Sequence, residues 1–330
     1  MNYGFTDFLT LLGALGLFLY GMKVMSDALM ELAGDRMRNI LSTTMSNRFF
    51  AVLTGFTITA VIQSSSATTL MVVSFTNAGL LTLTEAIGVI MGANIGTTVT
   101  AWLISILGFK VSMSAIALPL VGLGFILSMN RKKNLQHWGY FIIGFAVLFI
   151  GLQFLKDSVP DIGNSPEILA FLSEYTSMGY TSVLLFLFIG TVLTVIVQSS
   201  SATMALTLLM TYEGWIPFDM AAAMVLGENI GTTITANLAA LVANYQARRA
   251  ARAHFIFNIL GVSWMLIVFY PFLSAINAIV IHIEGVSPFV EATAAPVALS
   301  IFHTCFNIIK TSLLLGFNKT IAAIVERMVP

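Results

Sequence analysis

Six consecutive residues, Gln63-Ser64-Ser65-Ser66-Ala67-Thr68, recur unchanged as Gln198-Ser199-Ser200-Ser201-Ala202-Thr203, 135 positions further on. Each block places one amide and four hydroxyls in apolar surroundings. A buried hydroxyl without a partner costs about 1–3 kcal/mol, so groups this dense must be bonded to backbone, to each other, to water or to a ligand. A single serine often bonds its own helix backbone. Three in succession point to different sides of a helix, which that explanation serves less well. At a helix start, free N–H groups and hydroxyls can converge on one anion.

A second pair of words keeps the same separation: Gly92-Ala93-Asn94-Ile95-Gly96-Thr97-Thr98 and Gly227-Glu228-Asn229-Ile230-Gly231-Thr232-Thr233. Amide and hydroxyl oxygens are the hard ligands a small cation such as Na⁺ takes. Gly96 and Gly231 permit unwinding or close backbone approach, and unwound carbonyls would add to that ligand set. The plainer alternative is tight helix–helix packing at the glycines. A third echo is His254/Phe257/Asn258 and His303/Phe306/Asn307. His and Asn four apart share a helix face. They are expected to bond between helices, with proton relay as the minority reading. No arginine falls in these motifs, so no arginine clamp on an anion is expected.

The chain around these words is apolar. Of its 330 residues 58% are hydrophobic and 9% charged, with mean hydropathy +0.93; a soluble domain carries about 25% charge. Apolar runs recur at Leu9–Tyr20, Leu81–Met91, Leu118–Leu127, Tyr140–Leu155, Val183–Val197, Phe255–Phe272 and Val297–Ile309. Long unbroken runs predict helices rather than the alternating strands of a barrel. The expected class is therefore an all-α polytopic membrane protein. Fifteen basic residues balance fifteen acidic ones, which gives no electrostatic case for nucleic acid. Cys305 alone cannot form an internal disulfide, and the N-terminal segment lacks the basic region of a cleaved signal, so the first run is expected to be retained. In such a chain Glu228, which stands where the first copy has Ala93, needs a reason: an acid at mid-membrane depth costs at least about 2.5 kcal/mol. It is expected to ligate Na⁺ or accept a proton, with a loop position at a cavity mouth as the alternative.

The repetition extends beyond the motifs. Gly55 pairs with Gly190 and Gly79 with Gly214, while Gly21 and Asp27 echo in Gly151 and Asp157 at an offset of 130. The expected division is one repeat over 1–133, a second over 134–270, and additional helices over 271–330. The loop expected after the first helix carries Arg36, Arg38 and Arg48 against Glu31 and Asp35; the equivalent loop of the second copy carries Lys156 against Asp157, Asp161, Glu167 and Glu174. Basic loops favour the cytoplasm, so the copies are expected to be inverted, with Arg131–Lys133, Arg248–Arg252 and the C-terminus cytoplasmic. Inverted repeats with broken or re-entrant helices predict a secondary transporter, its site near the midplane between the copies. Phe49–Ile62 is too short to span before Gln63. Further breaks are expected at Gly92–Gly96 and Gly227–Gly231, with Thr84 and Asp219 as N-caps.

Paired Gln-Ser-Ser-Ser motifs, each followed by Gly-x-Asn-Ile-Gly-Thr-Thr, resemble the type II sodium–phosphate cotransporter family. The resemblance covers about Leu9 to Leu266. It implies Na⁺-coupled symport of inorganic phosphate by alternating access, without an enzyme activity or any cofactor beyond Na⁺ as coupling ion. By that analogy phosphate is touched by Ser64, Ser65, Ser66, Ser199, Ser200 and Ser201. Gln63, Thr68, Asn94, Thr97, Thr98, Gln198, Thr203, Glu228, Asn229, Thr232 and Thr233 fall to the ion sites or their frame. The expected partners are phosphate, Na⁺ and the bilayer of a bacterial inner membrane, with a homodimer left open. Animal members carry a large loop between the repeats, and Asp157–Tyr180 is short by comparison, which points to a bacterial member. Alternatives are a Na⁺-coupled dicarboxylate or sulfate carrier, a phosphate exporter, and an intramembrane serine hydrolase. The last lacks a Gly-x-Ser-x-Gly elbow.

Overall fold

The computed structural model describes residues 4–43, 47–111, 113–158, 171 and 173–330. Among them every regular element is helical. The helices are α1 (Phe5–Thr43), α2 (Arg48–Ile62), α3 (Ser65–Asn77), α4 (Leu83–Leu103), α5 (Ser114–Ser128), α6 (Lys133–Ser158), α7 (Tyr180–Val197), α8 (Ser200–Tyr212), α9 (Phe218–Gly231), α10 (Thr233–Ala239), α11 (Tyr245–Ile267), α12 (Phe269–Glu284), α13 (Ala295–Leu315) and α14 (Asn318–Met328). A π-helical segment, Ile104–Lys110, prolongs α4. Among the described residues six stretches are long and apolar enough to cross a membrane: Phe5–Leu41, Leu83–Lys110, Lys133–Ser158, Tyr180–Val197, Tyr245–Ile267 and Ala292–Leu315. Hydroxyls, amides and two charges are buried while leucines and isoleucines such as Leu118 and Ile267 face outward, the distribution of a multi-pass membrane protein.

The chain forms two compact units, Met1–Arg38 with Leu103–Ile168, and Asn39–Trp102 with Leu169–Pro330. Each unit draws on both sequence copies. In the first, α1 and α6 cross closely: a Cβ on Gly21 would collide with the backbone of Leu148, and one on Gly151 with Phe18. Lys156 donates to the Gly108 carbonyl and lies 4.2 Å from the Phe109 ring centroid.

The second unit carries all the motif residues. Its packing repeats the sequence duplication atom for atom. A Cβ on Gly55 would strike the Val89 carbonyl, and one on Gly190 the Met224 carbonyl. Gly92 is pressed against the carbonyl of Val52, and Gly227 against that of Leu187. All four contacts keep the offset of 135, so α2 crosses α4 as α7 crosses α9.

Three expectations change. α4 runs unbroken through Gly92–Thr98, and in the second copy the helix is interrupted only at Thr232, between α9 and α10. The glycines are packing contacts: a Cβ on Gly96 would lie 2.6 Å from Thr59 Cβ, and one on Gly231 2.7 Å from Thr194 Cβ. The N-caps shift as well. Thr82, not Thr84, exchanges bonds with Glu85 (Glu85 N to Thr82 Oγ1 3.4 Å, Thr82 N to Glu85 Oε2 2.8 Å), a capping box. Asp219 lies one residue inside α9, behind Pro217. Finally, Phe255–Phe272 is two helices. Pro271 has no N–H and would crowd the carbonyl four residues back, so α11 ends at Ile267 and Pro271 falls in the first turn of α12. Asp161 and Glu167, which entered the loop-charge comparison, lie outside the described residues.

Candidate functional site

The helix breaks fall at the glutamines. Gln63 closes α2 in a left-handed conformation, φ 60° and ψ 27°, and Gln198 closes α7 at φ 55° and ψ 24°. These are the only non-glycine residues with positive φ among those described. Such a conformation stops the helix, lets the chain reverse, and starts a new helix at once. Ser64 and Ser199 then take extended conformations, and their Oγ atoms accept from the N–H of Ala67 and Ala202, each at 3.2 Å. They are the N-caps of α3 and α8. Ser65 and Ser66, like Ser200 and Ser201, therefore occupy first turns, where backbone N–H groups have no partner within the helix.

The threonines form the frame. Thr59 donates to Thr68 Oγ1 (2.9 Å), and Thr68 donates to the Ser64 carbonyl (3.1 Å), tying α2 to α3 across the break. In the second copy Thr203 donates to Ser199 O (3.1 Å), while Thr194 donates to Gly190 O (2.8 Å). Thr97 and Thr232 bond the carbonyls of Ala93 and Glu228; Thr98 and Thr233 bond those of Ile95 and Ile230. The amides of Asn94 and Asn229 donate to Ile90 O and Val225 O. Their Oδ1 atoms are thereby turned away from their own helix. The glutamines differ: buried Gln63 accepts from Thr100 Oγ1 at 2.9 Å, whereas Gln198 is exposed and Thr235, the counterpart of Thr100, bonds Thr232 O.

Both copies meet at one cavity, lined by Ser65, Asn94, Thr97, Ser200, Glu228, Asn229, Thr232, His254 and His303. Its volume of about 10 Å³ is room for about one water molecule. The motif residues outside this lining are Gln63, Ser64, Ser66, Thr68, Thr98, Gln198, Ser199, Ser201, Thr203 and Thr233. Glu228 sits inside α9 and is 2% exposed, so it is no loop residue. Its Oε1 accepts from Thr207 Oγ1 at 2.9 Å, and its Oε2 has no protein partner. His254 Nδ1 and His303 Nδ1 are likewise buried and unbonded. Three orphaned polar atoms on cavity-lining residues point to a polar ligand. The histidines, expected first to join helices and as a minority reading to relay protons, line the site; His254 Nε2 lies 3.4 Å from Asn94 Nδ2.

The sequence reading missed Lys310. It is 1% exposed. Its Nζ donates to Asn258 Oδ1 (2.7 Å) and to Asn229 Oδ1 (3.4 Å), the latter a cavity-lining residue. The signal was available: Lys310 follows His303 by two helical turns and Asn307 by three residues, on the same face of α13.

Comparisons with known proteins agree on the class. The model of the Na⁺/Pi-cotransporter family matches residues 17–157 and 166–309. The protein named "Putative inorganic phosphate export protein YjbB" of Salmonella typhimurium is 28% identical over 97% of this chain, which spans 55% of that protein's length. An uncharacterized protein of Bacillus subtilis, YqeW, is 30% identical over 95% of both chains. Human sodium-dependent phosphate transport protein 2B is 36% identical over 107 residues, 32% of this chain and 15% of its own. No solved structure matches. Two conformationally matched Gln-Ser-Ser-Ser turns around one buried polar cavity, together with a family match over both copies, make this chain a member of the Na⁺/Pi-cotransporter family.

Proposed function

We propose that this chain carries inorganic phosphate across a bacterial inner membrane by alternating access, coupled to Na⁺. Phosphate binds between the first turns of α3 and α8, contacted by Ser64–Ser66 and Ser199–Ser201. The observation that carries this reading is the meeting of two identical helix starts, through Ser65 and Ser200, at one cavity. Free N–H groups and hydroxyls at two helix N-termini suit an anion. Hydroxyls also suit an anion that must leave again. Glu228, Asn94, Thr97 and Thr232 supply carboxylate, amide and hydroxyl oxygens for Na⁺, which offsets the phosphate charge in an apolar surround, and Asn229, whose Oδ1 faces Lys310, frames the site.

The cavity holds about one water and phosphate is larger, so binding requires α3 and α8 to separate. We take the copies to be inverted, on the strength of their opposite loop charges, with Arg131–Lys133 and Arg248–Arg252 cytoplasmic. The asymmetry between buried Gln63 and exposed Gln198 fits a state closed on one side. The human relative is named for sodium-dependent transport and the Salmonella relative for export. A coupled carrier is reversible, so both directions are open to one mechanism and the gradients decide.

The test is labelled-phosphate flux into liposomes holding the purified protein, with Na⁺, K⁺ or Li⁺ outside. Na⁺-driven uptake that excess sulfate or succinate leaves intact is expected. Flux indifferent to Na⁺ removes the coupling; competition by either anion transfers the substrate to that class.

A further inference from the structure

Lys310 is held by a pocket that three helices build for it. Its methylenes lie against α11 where Gly261 has no side chain; any Cβ there would overlap Lys310 Cδ. The ammonium lies 4.5 Å from the Phe257 ring centroid and 4.7 Å from that of Phe306. Aromatic faces attract a cation. The Asn258 and Asn229 carbonyl oxygens accept two of its three protons. These rings and amide oxygens can together solvate an ammonium. Yet among the described residues no carboxylate oxygen lies within 4.0 Å of Nζ. An unpaired charge this deep in a membrane protein is costly. Two ring faces and two amide oxygens reduce that cost without neutralising the charge. Asn229, which accepts from Nζ, also lines the cavity and so links the ammonium to the site.

We propose that Lys310 is a tethered counter-cation for the transported anion, a positioning residue that acts through Asn229 and supplies positive charge that co-bound sodium would otherwise have to supply. This rests on the phosphate-carrier reading above. Lys310 does not touch the phosphate. It holds Asn229 Oδ1 and sets a positive potential at the cavity wall. Two consequences follow from charge alone. Removing the ammonium weakens anion binding, and it leaves the anion needing one further sodium ion for the same neutrality.

The experiment is equilibrium binding of labelled phosphate to purified wild type, Lys310→Gln, Lys310→Met and Lys310→Arg, over a range of Na⁺ with choline replacing it. Glutamine keeps an N–H donor and removes the charge on a side chain one atom shorter, and methionine removes both donor and charge. We expect the Gln and Met variants to bind phosphate about tenfold or more weakly. Their dependence of log affinity on log Na⁺ should be steeper by about one ion, with arginine near wild type. A folded Gln or Met variant with wild-type affinity and slope overturns the proposal. So does an arginine variant as weak as the glutamine one, because length rather than charge would then be at issue. Should both neutral variants fail to fold, wild type alone decides. A tethered cation leaves measurable phosphate binding in choline, and its complete loss contradicts the proposal. Failure of the underlying reading looks different: wild type would then bind no phosphate even in saturating Na⁺.

Discussion

Thr68 and Glu228 belong to the same site and should fail in different ways. Thr68 is bonded on both sides, to Thr59 and to the Ser64 carbonyl, so its hydroxyl has little left to offer a ligand. Thr68→Val keeps the shape and should lower stability by about 1 kcal/mol. The measurable sign is a reduced melting temperature in detergent with the half-saturating Na⁺ concentration unchanged. A shift in Na⁺ dependence without loss of stability would move Thr68 from frame to ligand. Glu228 has one carboxylate oxygen on Thr207 and one without a partner. Glu228→Gln should raise the half-saturating Na⁺ concentration about tenfold, the value of one charge-assisted contact, with melting near wild type. Flux with unaltered Na⁺ dependence would take Glu228 out of the cation site. Residues of the first kind were legible as belonging to the ion site or its frame, without a choice between the two. That distinction depends on which neighbour each hydroxyl meets, and a single sequence does not contain it. Lys310 was passed over for a related reason. Its residue type shows, but its significance depends on α9 and α11 bringing Asn229 and Asn258 to it.

At the scale of elements, a left-handed residue and a set of bare helix faces make the architecture. Positive φ costs a residue with a Cβ roughly 1–2 kcal/mol, most for β-branched side chains. Gln198, exposed and with the same left-handed turn, isolates the effect: Gln198→Gly should melt at or above wild type, while Gln198→Val should melt well below it. Equal melting of the two variants would mean that the turn does not depend on the left-handed conformation. The crossings of α2 with α4 and α7 with α9 have no room for a methyl group at Gly55 and Gly190. Alanine at either should destabilise by about 1–3 kcal/mol or more, read as lost yield of monodisperse protein. Wild-type yield and melting would contradict the close crossing. The break at Gln63 was readable because an apolar run too short to span ended there, and the one at Gln198 only through the repeated motif. The unbroken course of α4 was not. Glycine beside asparagine reads equally as hinge or as packing contact, and the backbone opposite decides.

For the whole molecule, the duplication seen in sequence reappears in conformation: paired turns, paired caps and paired crossings, all at one separation. What duplication alone does not give is a single site, because two copies could hold two independent ligands. Here Ser65 and Ser200 line the same cavity. A single shared phosphate site requires that convergence. The most direct measurement is phosphate stoichiometry and affinity for wild type, Ser65→Ala, Ser200→Ala and the double variant, in saturating Na⁺. One phosphate per chain is predicted. Each single change should weaken binding about tenfold or more, as loss of a hydrogen bond to a charged group does. The double change should depart from additivity, as residues sharing one ligand do. Two phosphates per chain, or strictly additive losses, would contradict a shared site.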